Sequence, residues 1–286
     1  MTARILDRGY RGYRGDRTGV RGAMRAVFVN SVQRALGMRR SAGWKVLPIG
    51  AVAIAYVPAI VYVGIVSVLP DADAARIELP TYGQYYFAIQ SALVLFTAFV
   101  APELLCTDRR TGMLGLYLSS PLDRGTYLLA KAGATMFLLA LVSVGPPVFM
   151  LLAFILQSNG PDGPGGVALT LARSAGAGIS IAVVLGSVSI GISSLTDRKA
   201  FATVGTAVAV LGSFVTITAM RQLRFPDALV ALDLLDLPLA MAEKIHGESR
   251  SFASVPVWAV VAGAAGWTLA GAVVARSRYR SLQVTR

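Results

Sequence analysis

The sequence is poor in the residues on which disulfide-bonded proteins, metalloproteins and many enzymes depend. It has one cysteine and one histidine in 286 residues. Cys106 therefore has no partner for a disulfide within the chain, and we expect it to be inert and no Cys/His metal site to form. Neither a G-x-x-x-x-G-K-[ST] phosphate-binding loop nor an H-E-x-x-H motif occurs, so we expect this chain to hold no ATP, cofactor or metal of its own and to lack catalytic residues.

Charged residues are also scarce, and long apolar runs separate the segments that carry them. Only 15% of the residues are charged, 55% are hydrophobic and the mean hydropathy is +0.62, whereas soluble domains carry roughly 25% charged residues. About 20 helical residues cross the hydrocarbon layer of a bilayer, and a helix satisfies its own backbone there. We predict an all-α integral membrane protein with six spans at residues 46–69, 85–105, 127–156, 167–195, 200–220 and 255–275.

Proline and small residues mark features within these runs. Pro58, Pro102 and the pair Pro146–Pro147 are expected to kink their helices, since each proline removes a backbone donor. Four small residues of the fourth run repeat every four positions, which we interpret as close packing within the bundle rather than as a subunit interface. They are Ser174, Gly178, Ala182 and Gly186.

The basic residues gather beside the apolar runs. The 27 Lys and Arg give a net charge of +12, but they are not spread over a soluble face between stacking aromatics, so we expect no nucleic-acid partner. Most of them fall in the connections that are cytoplasmic when the N-terminus is inside. This predicts a multi-pass protein with both termini in the cytoplasm, and the composition, rich in Ala, Gly and Arg, favours a bacterial plasma (inner) membrane.

The first 45 residues divide into two parts. Residues 1–22 contain Arg-Gly-Tyr repeats and are predicted to be a disordered basic tail, attracted to anionic lipid headgroups rather than to RNA. Residues 23–45 place Met24, Val27 and Phe28 on one helical face, which predicts an amphipathic helix lying on the inner leaflet.

The connection between the fifth and sixth runs, residues 221–254, is acidic and amphipathic. We predict extracellular helices here that lie at the membrane interface, with His246 as a solvated loop residue. Residues 276–286 are predicted to form a basic cytoplasmic tail. Four leucines of the connection are expected to face the spans: Leu229, Leu232, Leu235 and Leu239.

The connection between the second and third runs, from Cys106 to Lys131, does not have the composition of a linker. We expect Asp108 at a helix start, where carboxylates are favoured. A short Leu-rich segment follows and should form a surface helix that ends before Pro121. A second helix should then enter the bilayer near Lys131.

This loop resembles the conserved segment of the type-2 ATP-binding-cassette (ABC) exporter permeases. That segment has an acidic-basic pair, then Gly-Thr, a Leu-rich stretch, Ser-Pro or Thr-Pro, a basic residue and finally Gly-Lys. Three positions depart from that pattern: Met113 stands where the family usually has Thr, Gly115 where Glu is common, and Ala130 where Gly usually precedes the lysine. The matching residues here are Asp108, Arg109, Gly112, Leu116, Leu118, Ser120, Pro121, Arg124 and Lys131.

The resemblance implies the transmembrane permease subunit of an exporter, with the substrate path between two membrane subunits that are identical or related. The loop 106–131 would couple it to a separate nucleotide-binding ATPase subunit, which binds ATP and Mg. Asp108, Arg109, Arg110 and Arg124 would be its polar contacts. Independently of the resemblance, the position of Glu103 near the inner end of the second run favours an interfacial anchor or a partner of the coupling loop over a proton relay. The apolar spans, rather than the resemblance, favour a lipid-like or amphipathic compound or a drug as the cargo, and antibiotics, glycolipids and polysaccharide precursors remain open as alternatives.

Two other classes remain as alternatives. An ion-coupled secondary transporter normally needs ionisable residues inside its spans, and here the span interiors are nearly uncharged. An intramembrane enzyme would need paired carboxylates or a placed nucleophile and base, and the sequence offers no such candidates.

Overall fold

The computed structural model describes residues 18–38, 45–68, 80–248 and 250–281. No strand occurs among these residues, and one 3₁₀ helix, Asp227–Leu232, interrupts the α-helical pattern. The α-helices are α1 (Gly19–Ala35), α2 (Val46–Val68), α3 (Tyr85–Ala88), α4 (Gln90–Arg110), α5 (Met113–Leu118), α6 (Arg124–Ser143), α7 (Gly145–Leu156), α8 (Gly163–Leu195), α9 (Lys199–Gln222), α10 (Asp236–His246) and α11 (Val257–Ser281).

Six helical segments of the described chain are long and apolar enough to cross a membrane, which confirms the predicted number of spans. They are formed by α2, α4, α6 with α7, α8, α9 and α11. The third span breaks at Val144, two residues before the Pro146–Pro147 pair, because these prolines cannot donate to the preceding turn. The six helices indicate a multi-pass membrane protein.

Two helices are longer than the sequence predicted, because polar residues continue them beyond the apolar run. α4 runs on through Arg110, so Asp108 lies in its last turn and not at a helix start. α11 continues to Ser281, which makes the first part of the predicted basic tail helical. α1 begins at Gly19, inside the predicted disordered tail, while residues 1–17, 39–44 and 282–286 lie outside the described residues.

The interior of the bundle is built from α4 and α8. Two thirds (67%) of the most apolar stretch of each is buried, against 17–22% for α2, α9 and α11. Gly178 of α8 lies against the backbone of Ser143, and Gly186 contacts Leu139. The small residues of α8 therefore pack against the third span within the bundle, as the sequence indicated.

The two ends of the bundle carry different structures. One end, here called the motif end, holds α1, α5, the end of α4, the start of α6 and the end of α11. The opposite end holds α3, α10 and the 3₁₀ helix. The helices predicted between the fifth and sixth spans are present. Of the four leucines predicted to face the spans, Leu239 is buried, and Leu229 and Leu235 are half-buried. The prediction is wrong for Leu232, which is 52% exposed, while Val230, Leu234 and Leu237 are buried in addition.

Buried polar groups hold the opposite end together, and His246 is one of them. It is buried at the end of α10, its Nδ1 lies 2.9 Å from the carbonyl oxygen of Ala242, and its ring stacks on that of Tyr82. The prediction of a solvated loop histidine is therefore wrong. Burial lowers the pKa of His246, which keeps it neutral near pH 7.

Candidate functional site

The motif loop, residues 106–131, begins at a buried carboxylate. Asp108 is fully buried and accepts from the guanidinium of Arg34 on α1 at 2.5 Å. Its other oxygen lies 2.6 Å from Nζ of Lys131 and accepts from the hydroxyl of Tyr127 at 2.8 Å. One carboxylate thus joins α1, α4 and α6 at the motif end.

The cations around Asp108 have further partners. Lys131 is fully buried, and its ammonium donates to the hydroxyl of Ser31 at 2.9 Å and lies 5.6 Å from the ring centre of Tyr127. Arg34 also donates to the carbonyl of Leu104 at 3.0 Å. Burying charges is costly unless they are paired and hydrogen-bonded. Both cations are paired with Asp108 and make further hydrogen bonds, while Nε of Arg34 is buried without a partner.

Two more arginines of the loop bind the free carbonyls at helix ends. Arg109 donates to Ser194 at 2.7 Å and to Thr196 at 3.0 Å, at the end of α8. Arg124 donates to the carbonyl of Arg280 at 2.6 Å, at the end of α11. The last carbonyls of a helix have no partner within it, and cationic side chains stabilise that end. The loop is therefore fastened to α8 and to α11.

Glu103 forms a further ion pair at the motif end. It is buried on α4 and lies 2.6 Å from Nζ of Lys199 at the start of α9. In the structure Glu103 thus ties α4 to α9.

The tip of the loop faces outward. Gly112 has a φ of +70°, a conformation that glycine adopts without strain, and it reverses the chain between α4 and α5. On α5 the side chain of Leu116 is 65% exposed, and Met113 is 36% exposed. Arg110 and Pro121 are also exposed. The tip therefore presents apolar side chains beside a cation.

Local hydrogen bonds end α5 and start α6. The hydroxyls of Ser119 and Ser120 donate to carbonyls of α5, and Asp123 forms a capping box with Thr126. Hydrogen bonds from Thr126 lower the pKa of Asp123, so it stays ionised as a cap. Burial raises the pKa of Tyr117, whose neutral hydroxyl accepts from Asn30 of α1 at 3.1 Å.

The predicted site residues thus separate into two sets. Five lie in the base of the loop or beside it and bond to other elements of the same chain: Glu103, Asp108, Arg109, Arg124 and Lys131. Five are exposed at or near the tip: Arg110, Gly112, Leu116, Ser120 and Pro121.

Sequence reasoning missed Arg34, Ser31 and Tyr127. A signal was present in α1, where Ser31 and Arg34 lie one turn apart beside the apolar face of a helix that was expected to rest on lipid. The structure packs that face, including Val27 and Phe28, against the bundle core. A helix packed against protein can supply buried polar partners that a lipid-bound helix cannot.

The six apolar helices indicate a helical, multi-pass membrane protein. At its motif end, the motif loop is bonded to α1, α8 and α11. No group of three or more metal-ligating side chains occurs among the described residues. No family model matches the chain, and no curated protein is detectably similar to it.

Proposed function

We propose that the chain is the transmembrane permease subunit of an ATP-driven exporter of the ABC type, coupled to a separate ATPase subunit through the motif loop. One observation carries the proposal. The loop has an exposed apolar tip at Met113 and Leu116, and its base is bonded to α1, α8 and α11. Apolar anchors beside a cation are typical of protein docking surfaces.

The anchored base would transmit movement of the tip. A partner that displaces α5 also pulls on Arg109 and Arg124, and through them on the ends of α8 and α11. ATP and Mg would be bound by that partner, whose nucleotide cycle shifts the spans between states of different access. ATP is cytoplasmic, and the motif end carries most of the basic residues, so we place this end and both termini in the cytoplasm of a bacterial inner membrane.

The test uses the exposed tip because substitutions in the base would also disturb the fold. In proteoliposomes containing this chain and the ATPase subunit that co-purifies with it, Leu116→Glu and Met113→Glu should each lower cargo-stimulated ATP hydrolysis by about tenfold or more. Loss of one buried anchor at an interface costs roughly 2 kcal/mol, more than a factor of ten. Initial rates of phosphate release measure the effect.

Matched controls lie at the opposite end of the bundle. Leu223 is 73% exposed and Arg224 is exposed, so Leu223→Glu and Arg224→Glu should leave the hydrolysis rate within a factor of two. Equal loss in all four variants would contradict docking through the tip. Transport driven by a proton gradient without ATP would instead support the ion-coupled secondary transporter.

A second membrane subunit would complete the exporter, and α9 offers a surface for it. Large apolar residues repeat along α9 at alternating steps of three and four, the spacing of helix-pairing seams. Each is between 49% and 65% exposed. They are Phe201, Val204, Val208, Leu211 and Val215. We place a second copy of this chain on that stripe.

Cross-linking tests this placement, and the single buried cysteine makes it simple. In a Cys106→Ala background, Val208→Cys should form a disulfide-linked dimer in membranes treated with copper phenanthroline. Val273 on α11 is 63% exposed, and Val273→Cys is the control that should remain monomeric. A dimer from Val273→Cys alone would move the interface from α9 to α11.

The cargo we propose is a lipid-like or amphipathic compound or a drug. A cavity of about 860 Å³ opens at the motif end between α4 and the start of α9, lined by Phe99, Arg110, Lys199 and Phe201 among others. It adjoins the stripe on α9, so the second copy would close it. Its aromatic walls are joined by charged side chains of both signs, Arg110, Arg198 and Lys199 with Asp197, and such a lining suits a molecule that has both an apolar body and a polar group.

A further inference from the structure

A groove runs along the outside of the bundle between α8 and α11, beneath α10. Its volume is about 790 Å³, and nearly all of its lining is apolar. It exists because Ala264 and Ala265 of α11 and Ser180 of α8 are small, while Val261 and Leu269 stand on either side of them. The groove opens sideways, toward the region that hydrocarbon occupies around a membrane protein.

The length of the groove matches one leaflet of a bilayer. Its lining residues on α11 extend from Val257 to Leu269, which is about 18 Å of helix at 1.5 Å per residue. A leaflet contributes half of the ~30 Å hydrocarbon layer, or about 15 Å. Val257 is the first residue of α11, so the groove reaches from the opposite end of the bundle toward its middle.

A cation stands at the end of the groove where lipid headgroups lie. Lys244 of α10 is part of the lining, and among the described residues its ammonium donates to the carbonyl of Ala253 alone, at 3.5 Å. No carboxylate in the described part of the chain lies within 4 Å of that ammonium. An ammonium has three donors, so Lys244 can bind an anion without losing an existing ion pair.

We propose that this groove binds one acyl chain of an anionic phospholipid from the surrounding bilayer, with the lipid phosphate on Lys244. Apolar walls along one leaflet, followed by a cation at the boundary, complement an amphiphile that has an apolar chain and one anionic head. The site is separate from the motif loop and from the stripe on α9. It does not depend on the proposed exporter activity.

Native mass spectrometry of the detergent-purified chain, titrated with phosphatidylglycerol, tests the headgroup contact. A complex with one bound lipid should form, and phosphatidylcholine with the same chains should bind more weakly. Lys244→Glu should weaken phosphatidylglycerol binding by about fivefold or more, since each basic residue near the surface contributes about that factor. Arg224→Glu, a charge reversal at the same end away from the groove, should leave binding unchanged.

Filling the groove tests the chain contact. Ala265→Phe should abolish binding of both lipids, while Ala262→Phe, at an exposed position of α11 that does not line the groove, should have no effect. Far-UV circular dichroism and thermal unfolding should show that all four variants are folded. Equal weakening by Lys244→Glu and Arg224→Glu, or unchanged binding in Ala265→Phe, would overturn the proposal.

Discussion

Asp108→Ala should lower the free energy of unfolding by about 3–5 kcal/mol, the usual cost of removing one partner from a buried ion pair. Asp108 is fully buried, and two cations lie within 2.6 Å of its oxygens. Without the carboxylate, the ammonium of Lys131 and the guanidinium of Arg34 would repel each other in a site from which water is excluded. Lys131 is fully buried and has nowhere to reach solvent.

The loss should be accompanied by release of α1. Arg34 would keep its bonds to backbone carbonyls of α4 but lose its ion pair, so limited proteolysis between α1 and α2 should become faster. Chemical unfolding in detergent gives the free energy, and the cleavage rate reports on α1. Asp197→Ala is the matched control, since Asp197 is an exposed carboxylate at the same end, and it should change the free energy by no more than about 0.5 kcal/mol.

A double variant separates electrostatics from packing. Asp108→Asn combined with Lys131→Met removes one buried cation together with the anion, and it should be more stable than the sum of the single effects by at least about 1 kcal/mol. Additive effects would mean that Asp108 and Lys131 are not coupled, and would contradict a buried ion pair between them as the source of stability.

The sequence was sufficient to predict the six spans because hydropathy and helix length decide them almost alone. The ends of the helices were not predictable in the same way. α4 extends through Asp108, Arg109 and Arg110 because these polar residues find partners on other elements, or face outward in the case of Arg110, and the sequence does not show which partners fold beside them. The same holds for α11, whose end is capped by Arg124 from a distant part of the chain.

The loop was selected as a candidate from the sequence, but the sequence did not show which of its residues bond within the chain and which are exposed at the tip. The pairing of Arg34 with Asp108 spans 74 positions, and local patterns contain no information about contacts over that distance. His246 was misjudged for a related reason, since its surroundings are Tyr82 and Tyr86 on the segment that precedes the second span. Asp108 and Arg109 were predicted to be polar contacts of a partner subunit, and the fold shows that both bond to other parts of the same chain.

The backbones of α8 and α11 approach each other where glycine lies on both helices, at Gly191 and Gly271, and this leads to a second large effect. α8 and α11 have the most extensive contact of any two helices in the described structure. A Cβ atom at Gly271 would lie 2.2 Å from the carbonyl oxygen of Ser187, and one at Gly191 would lie 3.0 Å from Cα of Gly271. Both obstacles are backbone atoms, so a rotamer change cannot relieve the clash.

Gly271→Ala should therefore force α8 and α11 apart and lower the free energy of unfolding by about 2–3 kcal/mol, as other overpacked cores show. Gly266→Ala on the same helix is the control, because no atom lies within 4 Å of the added Cβ there. It should be neutral or stabilising by up to about 1 kcal/mol, since alanine favours helices over glycine. Opposite signs for two identical substitutions, five residues apart on α11, are the expected result, and unfolding in detergent measures both. Equal effects would mean that intrinsic helix preference, and not the approach of Gly271 to Ser187, governs this part of the bundle.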